Sequence, residues 1–564
     1  MKKYTDRIVG GQKTGLLIFI GVFVIALLFA VYTSHIWEDF YITYRVSKNL
    51  ATGHGMVYTI GEKVHAFTSP LNTLIPAALN VITGNISDEL VLWLFRLISI
   101  AILGAAAVLL YKSARKNFTS LLPIAFLIGM FGMDAKIIDF SINGQEIAFM
   151  MLFLALTLNV LTVPSKWTGL KLGLAWAGLM WTRPDGFVYF VAIYLGFVLF
   201  NAGLPIGKTR LGLIKTFLFA GAIMSVLYLP WFLWVWHYFG SPIPHTITAK
   251  SLLVQTHSMK PVDLFLNFLT YPLSMLHGAQ PTSDLFLSTY ASHGGWHYTA
   301  YTFSYILSCT CAFYWCLPFG RPQGRAVSLA LMLSLDYLSN IAPYIAPWYL
   351  PSCIIMAIFV FANILQQGLN LANLLKDKDE KTYRSIKRFI SVVATFAVSV
   401  TLLLTVCTAY QLRVQQREIE NGNRKEVGLW LRQNATSKAD TVFLEPLGYI
   451  GFFSQLKMLD FPGICSPEVV AVRKKYGRNT WSVLISELKP EWLVLRPKEI
   501  STIQQNDPKL LTQYYKLIRT FDASDRLKKY RWLPGRNYLE YDQTFHVFRL
   551  NKNDTAIEKT NSQK

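Results

Sequence analysis

Eleven stretches of this chain are long and apolar enough to cross a lipid bilayer, and that recurrence limits the fold before any single residue is read. They lie at about 14–34, 88–111, 118–133, 146–163, 168–182, 186–203, 213–236, 299–318, 326–339, 346–365 and 389–410. Backbone inside hydrocarbon must satisfy its own hydrogen bonds, so these stretches are expected to be helices packed into a bundle. With 52% hydrophobic and only 15% charged residues, the composition excludes a soluble globular chain. The first run is too long, and too poor in a small-residue cleavage site, to read as a cleaved signal peptide.

A net charge of +21 invites a nucleic-acid reading, but the basic residues are distributed as a membrane requires. With the N-terminus inside, the inner segments hold 20 Lys and Arg in about 69 residues, and the outer ones 7 in about 139. The stretch 68–83, with Pro70 and Pro76, is short for a span. Counting it as one would turn the basic loop Lys112–Lys116 outward, so it is expected to lie on or dip into the outer face. Residues 35–87 then form a first outer loop, 237–298 a long one, and everything after 410 is exported.

Directly after the first span comes Trp37-Glu38-Asp39-Phe40-Tyr41-Ile42-Thr43-Tyr44-Arg45, an amphipathic helical pattern carrying two carboxylates at the membrane surface. Neighbours on a helix point about 100° apart, so Glu38 and Asp39 are not expected to face one site. An acidic helix N-terminus explains the pair as well as a catalytic role does. Arg96, inside the second span, must pair or face a polar cavity.

Past residue 411 the pattern changes to short apolar strands at 440–444, 456–460, 491–495 and 545–549. Helices are expected at 424–432, 466–475, 480–488 and 501–513, making a small soluble α/β domain over 411–551. The remainder, 552–564, is polar and expected to be disordered. Gly448–Phe453 reads either as a loop approaching a glycan or as a helix packed on the sheet. The domain has no Gly-rich nucleotide motif. Five of the six cysteines fall in spans, and no Cys/His cluster has zinc-site spacing.

The first outer loop, with Gly53-His54-Gly55 and Phe67-Thr68-Ser69-Pro70-Leu71-Asn72 after the acidic pair, resembles that of bacterial GT-C glycosyltransferases using polyprenyl-phosphate sugars. Within them it is most similar to the terminal arabinofuranosyltransferase group of mycobacterial cell-wall synthesis. Further matches follow in order: Ser141–Glu146, Thr182-Arg183-Pro184-Asp185-Gly186, Tyr238–Lys250, Pro347–Pro351 and the tail stretches Gly448–Ser454 and Leu459–Ile464. Two positions depart from the pattern: Glu38-Asp39 stands for Asp-Asp, and Val64-His65-Ala66-Phe67 for Val-Glu-Gly-Tyr.

The resemblance implies a GT-C bundle of about eleven helices, residues 1–410, with Asp39 as general base and Glu38 as second choice. His54, Arg183, Lys250 and Arg45 would hold the donor's phosphate or sugar. Plainer readings remain: His54 as a loop histidine, Arg183 paired with Asp185, Lys250 solvated. His65, Glu146, Asp185, Trp348 and Tyr349 are expected near the site, on the acceptor or as structure. No metal site is assigned; a divalent ion stays open. The implied activity is inverting transfer of a sugar from a polyprenyl phosphate to a cell-envelope glycan or lipid, at the outer face of the bacterial inner membrane. Alternatives are a flippase for lipid-linked sugars, disfavoured because no inverted repeat or broken helix is evident, and a non-catalytic envelope scaffold.

Overall fold

The computed structural model describes residues 12–202, 210–253, 261–276, 281–287, 294–340, 346–477 and 480–551. The polar stretch 552–564 and parts of 237–298 lie outside the described residues. Each of the eleven apolar stretches is helical. Among the described residues, five helices are long and apolar enough to cross a membrane: Gln12–Thr33, Asp88–Asn117, Leu211–Phe239, Pro347–Asn373 and the one beginning at Glu380. A sixth arises if Leu121–Met133 and Ala135–Ile142 are one span, bent by 46°. The break falls at Asp134, whose carboxylate accepts the Ile137 N–H at 2.9 Å and caps the second half. The expectation of no broken helix is therefore corrected at this position. Proline-bearing Pro70–Ile82 is a helix too, seated against Glu38–Ala51 and Asp88–Asn117.

The bundle core is aliphatic and aromatic throughout, with Pro347–Asn373 the most enclosed long helix, 83% of its apolar window being buried. Arg96 lies inside it. Its guanidinium donates to the carbonyls of Ile142 (2.9 Å), Ser34 (3.3 Å) and His35, which satisfies an otherwise costly charge.

The last bundle helix, Glu380–Val414, does not end at a linker. It passes through a π-helical segment, Gln415–Arg424, straight into Lys425–Asn434. A five-stranded sheet follows, ordered β2 (Lys457–Asp460), β1 (Thr441–Leu444), β3 (Trp492–Leu495), β5 (Thr544–Leu550), β4 (Tyr515–Asp522). The first three run parallel to one another; β5 is antiparallel to β3 and β4 antiparallel to β5. Alternate residues serve two cores. Val442, Trp492, Val494 and Val547 pack with Ile42, Val46, Tyr58 and Phe67 of the first loop, while Phe443, Leu493, Leu495 and Phe548 pack with the sheet's own helices. One face of the sheet thus finishes its core on the loop that follows the first span.

Gly448–Phe453 is neither a loop nor packed on the sheet alone. It belongs to the helix Leu447–Ser454, wedged against Glu38–Ala51. A side chain at Gly448 would run into the Glu38 carbonyl, so the close approach needs glycine. The stretch 501–513 is two helices, Pro497–Asn506 and Leu510–Tyr514, interrupted where Pro508 follows Asp507.

Candidate active site

Eight separate stretches meet at one cavity of about 150 Å³, at the end of the bundle that the sheet covers. Asp39, Ile42 and Thr43 come from the first turns of Glu38–Ala51, and Thr68 and Ser69 from the turn before Pro70. Glu146, Arg183 and Asp185, Lys250, Tyr337, Trp348 and Tyr349, and Ile464 of the tail complete the wall. Local bonds hold these turns together. Asn72 Nδ2 donates to the Gly144 carbonyl at 2.9 Å, and the Trp37 N–H to the Asn143 carbonyl at 2.9 Å. Gly144 sits at φ +99° with Phe40 against its α-carbon, a place no side chain could occupy.

Asp39 is half-buried in this wall. Burial pushes its carboxyl above the ordinary range, and the Lys250 ammonium and the neighbouring Trp37 indole pull it back. Lys250, on the helix His245–Leu253, lies 5.8 Å over the Trp348 ring and makes no ion pair among the described residues. It is a cation with its charge available.

Arg183 is not in that position. Its Nη1 meets Glu146 Oε1 at 2.8 Å, its Nε and Nη2 meet Asp185 at 2.9 and 3.2 Å, and its face lies 4.2 Å over Tyr349. Two carboxylates for one guanidinium leave this triad formally anionic. Its geometry suits positioning the Tyr349 wall rather than neutralising a ligand's charge.

Four expected site residues lie elsewhere. Glu38 turns away from the cavity: its Oε1 accepts the Gly448 N–H at 2.9 Å and its Oε2 lies 3.6 Å from Arg424. Burial there pushes its carboxyl up to about 8, against the pull of Arg424. Arg45 is spent on the tail, donating to the carbonyls of Gly451 (2.9 Å) and Leu456 (3.1 Å) beneath Tyr58. His54 is exposed in its glycine turn, 2.9 Å from Thr52 Oγ1. His65 stacks on Phe239 at 4.6 Å, and burial pushes it down to about 4, so it is neutral. Conversely, Trp37, Thr43 and Ile464 belong to the site's surroundings and were not singled out by sequence; only their place in the matched stretches marked them. Among the described residues no group of three His, Cys, Asp or Glu is arranged to hold a metal ion.

Residues 409–548 match a family described as "Domain of unknown function (DUF8728)". Over 243 residues the chain is 28% identical to a terminal beta-(1->2)-arabinofuranosyltransferase of Corynebacterium glutamicum, covering 38% of this chain. The chain spans about a third of the length of that relative. Among solved structures, ArnT from Cupriavidus metallidurans bound to undecaprenyl phosphate superposes with a TM-score of 0.50 at 12% identity, covering 95% of this chain and 98% of ArnT. The arabinofuranosyltransferase AftD from Mycobacteria aligns at 12% identity with a TM-score of 0.45, over 95% of this chain and 40% of its own. Over nearly its whole length the chain therefore shares the fold of ArnT.

Proposed function

We propose that the protein transfers a sugar from a polyprenyl-phosphate donor to a hydroxyl of a cell-envelope glycan or glycolipid, on the outer side of a bacterial inner membrane. The observation that carries this reading is that Asp39 and Lys250 line one cavity at the end of an apolar helical bundle, close enough for the ammonium to lower the carboxyl. The name of the Corynebacterium relative supports sugar transfer, and the undecaprenyl phosphate bound to ArnT supports a polyprenyl-phosphate lipid.

The chemistry needs few parts. The acceptor oxygen attacks the anomeric carbon as its proton passes to Asp39, and the bond to the phosphate oxygen breaks on the opposite face. Burial that raises the Asp39 carboxyl makes it a stronger base than a surface aspartate. The Lys250 ammonium offsets the charge growing on the departing phosphate, and Trp348 and Tyr349 form an aromatic wall for the sugar. Arg183 keeps Tyr349 and Glu146 in place. The lysine-rich segment 376–388 faces the cytoplasm in this reading, and the sheet covers the cavity from outside.

Purified protein incubated with a panel of radiolabelled polyprenyl-phosphate sugars and envelope extract tests the proposal. Label is expected to move from lipid to acceptor with at least one donor. Lipid-linked label that only crosses a vesicle bilayer would make the protein a flippase instead.

A further inference from the structure

Back to back with the catalytic cavity, across the same helix, lies a second and larger one. The helix Glu38–Ala51 turns Asp39, Ile42 and Thr43 toward the first cavity and Phe40, Tyr41 and Tyr44 toward the second. The second is about 450 Å³, within the usual range for small-ligand sites. Its other walls come from the start of Asp88–Asn117, the π-helical segment and the helix Leu447–Ser454, so bundle and tail build it jointly.

The lining combines aromatic faces with hydrogen-bonding groups. Tyr41 packs 4.8 Å from Phe452 and 5.3 Å from Phe453, and Trp93 stands opposite on the Asp88–Asn117 helix. Asp88 is held at the rim by Tyr44 Oη (2.8 Å) and Lys48 Nζ (2.7 Å). Among the described residues the Tyr41 hydroxyl, the Trp93 indole N–H and the exposed Glu89 carboxylate make no side-chain hydrogen bond within the protein. Rings beside free donors and acceptors match a sugar, which offers an apolar C–H face and a polar edge.

The charge selects among ligands. At the cavity Asp88 is paired with Lys48 at 2.7 Å and, among the described residues, Glu89 is unpaired. The Arg96 guanidinium keeps its charge while Nε and Nη2 donate to backbone carbonyls, and Lys425 lies 4.9 Å over the Phe453 ring. A phosphate headgroup would meet the unpaired Glu89 carboxylate. A neutral glycan meets no such penalty.

We propose that this cavity, formed by Tyr41, Trp93, Glu89 and Phe453 on the far face of the Asp39 helix, binds a neutral oligosaccharide. Only the use of that glycan, as a distal part of the acceptor, rests on the transferase reading; the binding itself does not.

Full-length protein in nanodiscs would be titrated with labelled neutral tetrasaccharides, one built of pentofuranose and one of hexopyranose units. At least one is expected to bind. Trp93→Ala should weaken it about tenfold, the loss of one aromatic contact of roughly 1.4 kcal/mol. Glu89→Gln, at an exposed side chain, should weaken it severalfold. Asp39→Asn should bind the tetrasaccharide as wild type does. Binding by wild-type protein that transfers sugar from no donor to any acceptor would refute the transferase reading and leave this site standing. No binding of either tetrasaccharide, binding indifferent to both Trp93→Ala and Glu89→Gln, or displacement by glycerol phosphate would each overturn it.

Discussion

Glu38 and Asp39 are adjacent in the chain but face different ways: Asp39 lines the cavity shared with Arg183 and Lys250, while Glu38 lies 3.6 Å from Arg424 and accepts the Gly448 N–H of the tail. The step of about 100° between helical neighbours makes this division possible. Arg424 also meets Glu420 at 2.8 Å and pairs with Asp542, so Glu38 is wired into the tail's most buried ion cluster. The tail's ion cluster therefore reaches the residue beside the proposed base.

That link is pH-dependent. The Glu38 carboxyl is raised from its ordinary 4.5 to about 8 in the folded protein. A group raised on folding stabilises fully below its unfolded value and loses that contribution as pH rises through the folded one. Docking of the tail on the first loop should weaken between about pH 4.5 and 8. Hydrogen exchange over Leu447–Ser454, corrected for intrinsic rate, is expected to show more opening at pH 8.5 than at pH 5. Glu38→Gln should flatten the difference; an equal slope in both proteins would contradict it.

Arg183→Ala should destabilise the bundle by about 3–5 kcal/mol, because it leaves Glu146 and Asp185 buried without their cation. Adding Glu146→Gln should restore part of the loss. Thermal unfolding in detergent measures both. An Arg183→Ala protein as stable as wild type would mean that Arg183 serves a ligand rather than the wall.

Lys250→Ala should weaken donor binding and raise the pKa governing the acid limb of turnover, since the ammonium now lowers the Asp39 carboxyl. Lys250→Arg should keep both closer to wild type. A pH–rate profile unmoved by Lys250→Ala would separate the two residues.

Removing residues from 411 onward should leave the spans inserted, because each satisfies its own backbone bonds. It would also strip the cover from Ile42, Val46, Tyr58 and Phe67, which share one core with the sheet. Transfer should be lost and the first loop should become protease-sensitive. A truncated protein with full activity would show that the first loop holds its shape alone.

Much of this was legible in sequence where one physical rule dominates. Apolar length marked the helices, and four of the five strands have apolar cores that alternate between two buried faces. The strand Tyr515–Asp522 was not legible: it is an edge strand with most of its side chains in solvent, so it carries no apolar alternation. The π-helical segment is invisible for a related reason, since its polar residues are buried in ion pairs rather than in apolar packing. At the site, residue type suggested that Arg183 and Arg45 bind phosphate. Only three-dimensional contacts reveal that Arg183 already holds two carboxylates and Arg45 two carbonyls of the tail.

The central assignment is Asp39 as the base, and single-turnover transfer by Asp39→Asn, measured beside donor-lipid binding, addresses it most directly. Asn keeps the size and most hydrogen bonds of Asp but cannot take a proton. Transfer should fall by about 10²–10⁴-fold with donor affinity nearly unchanged, while Glu38→Gln loses far less. Near-normal turnover in Asp39→Asn would contradict the assignment.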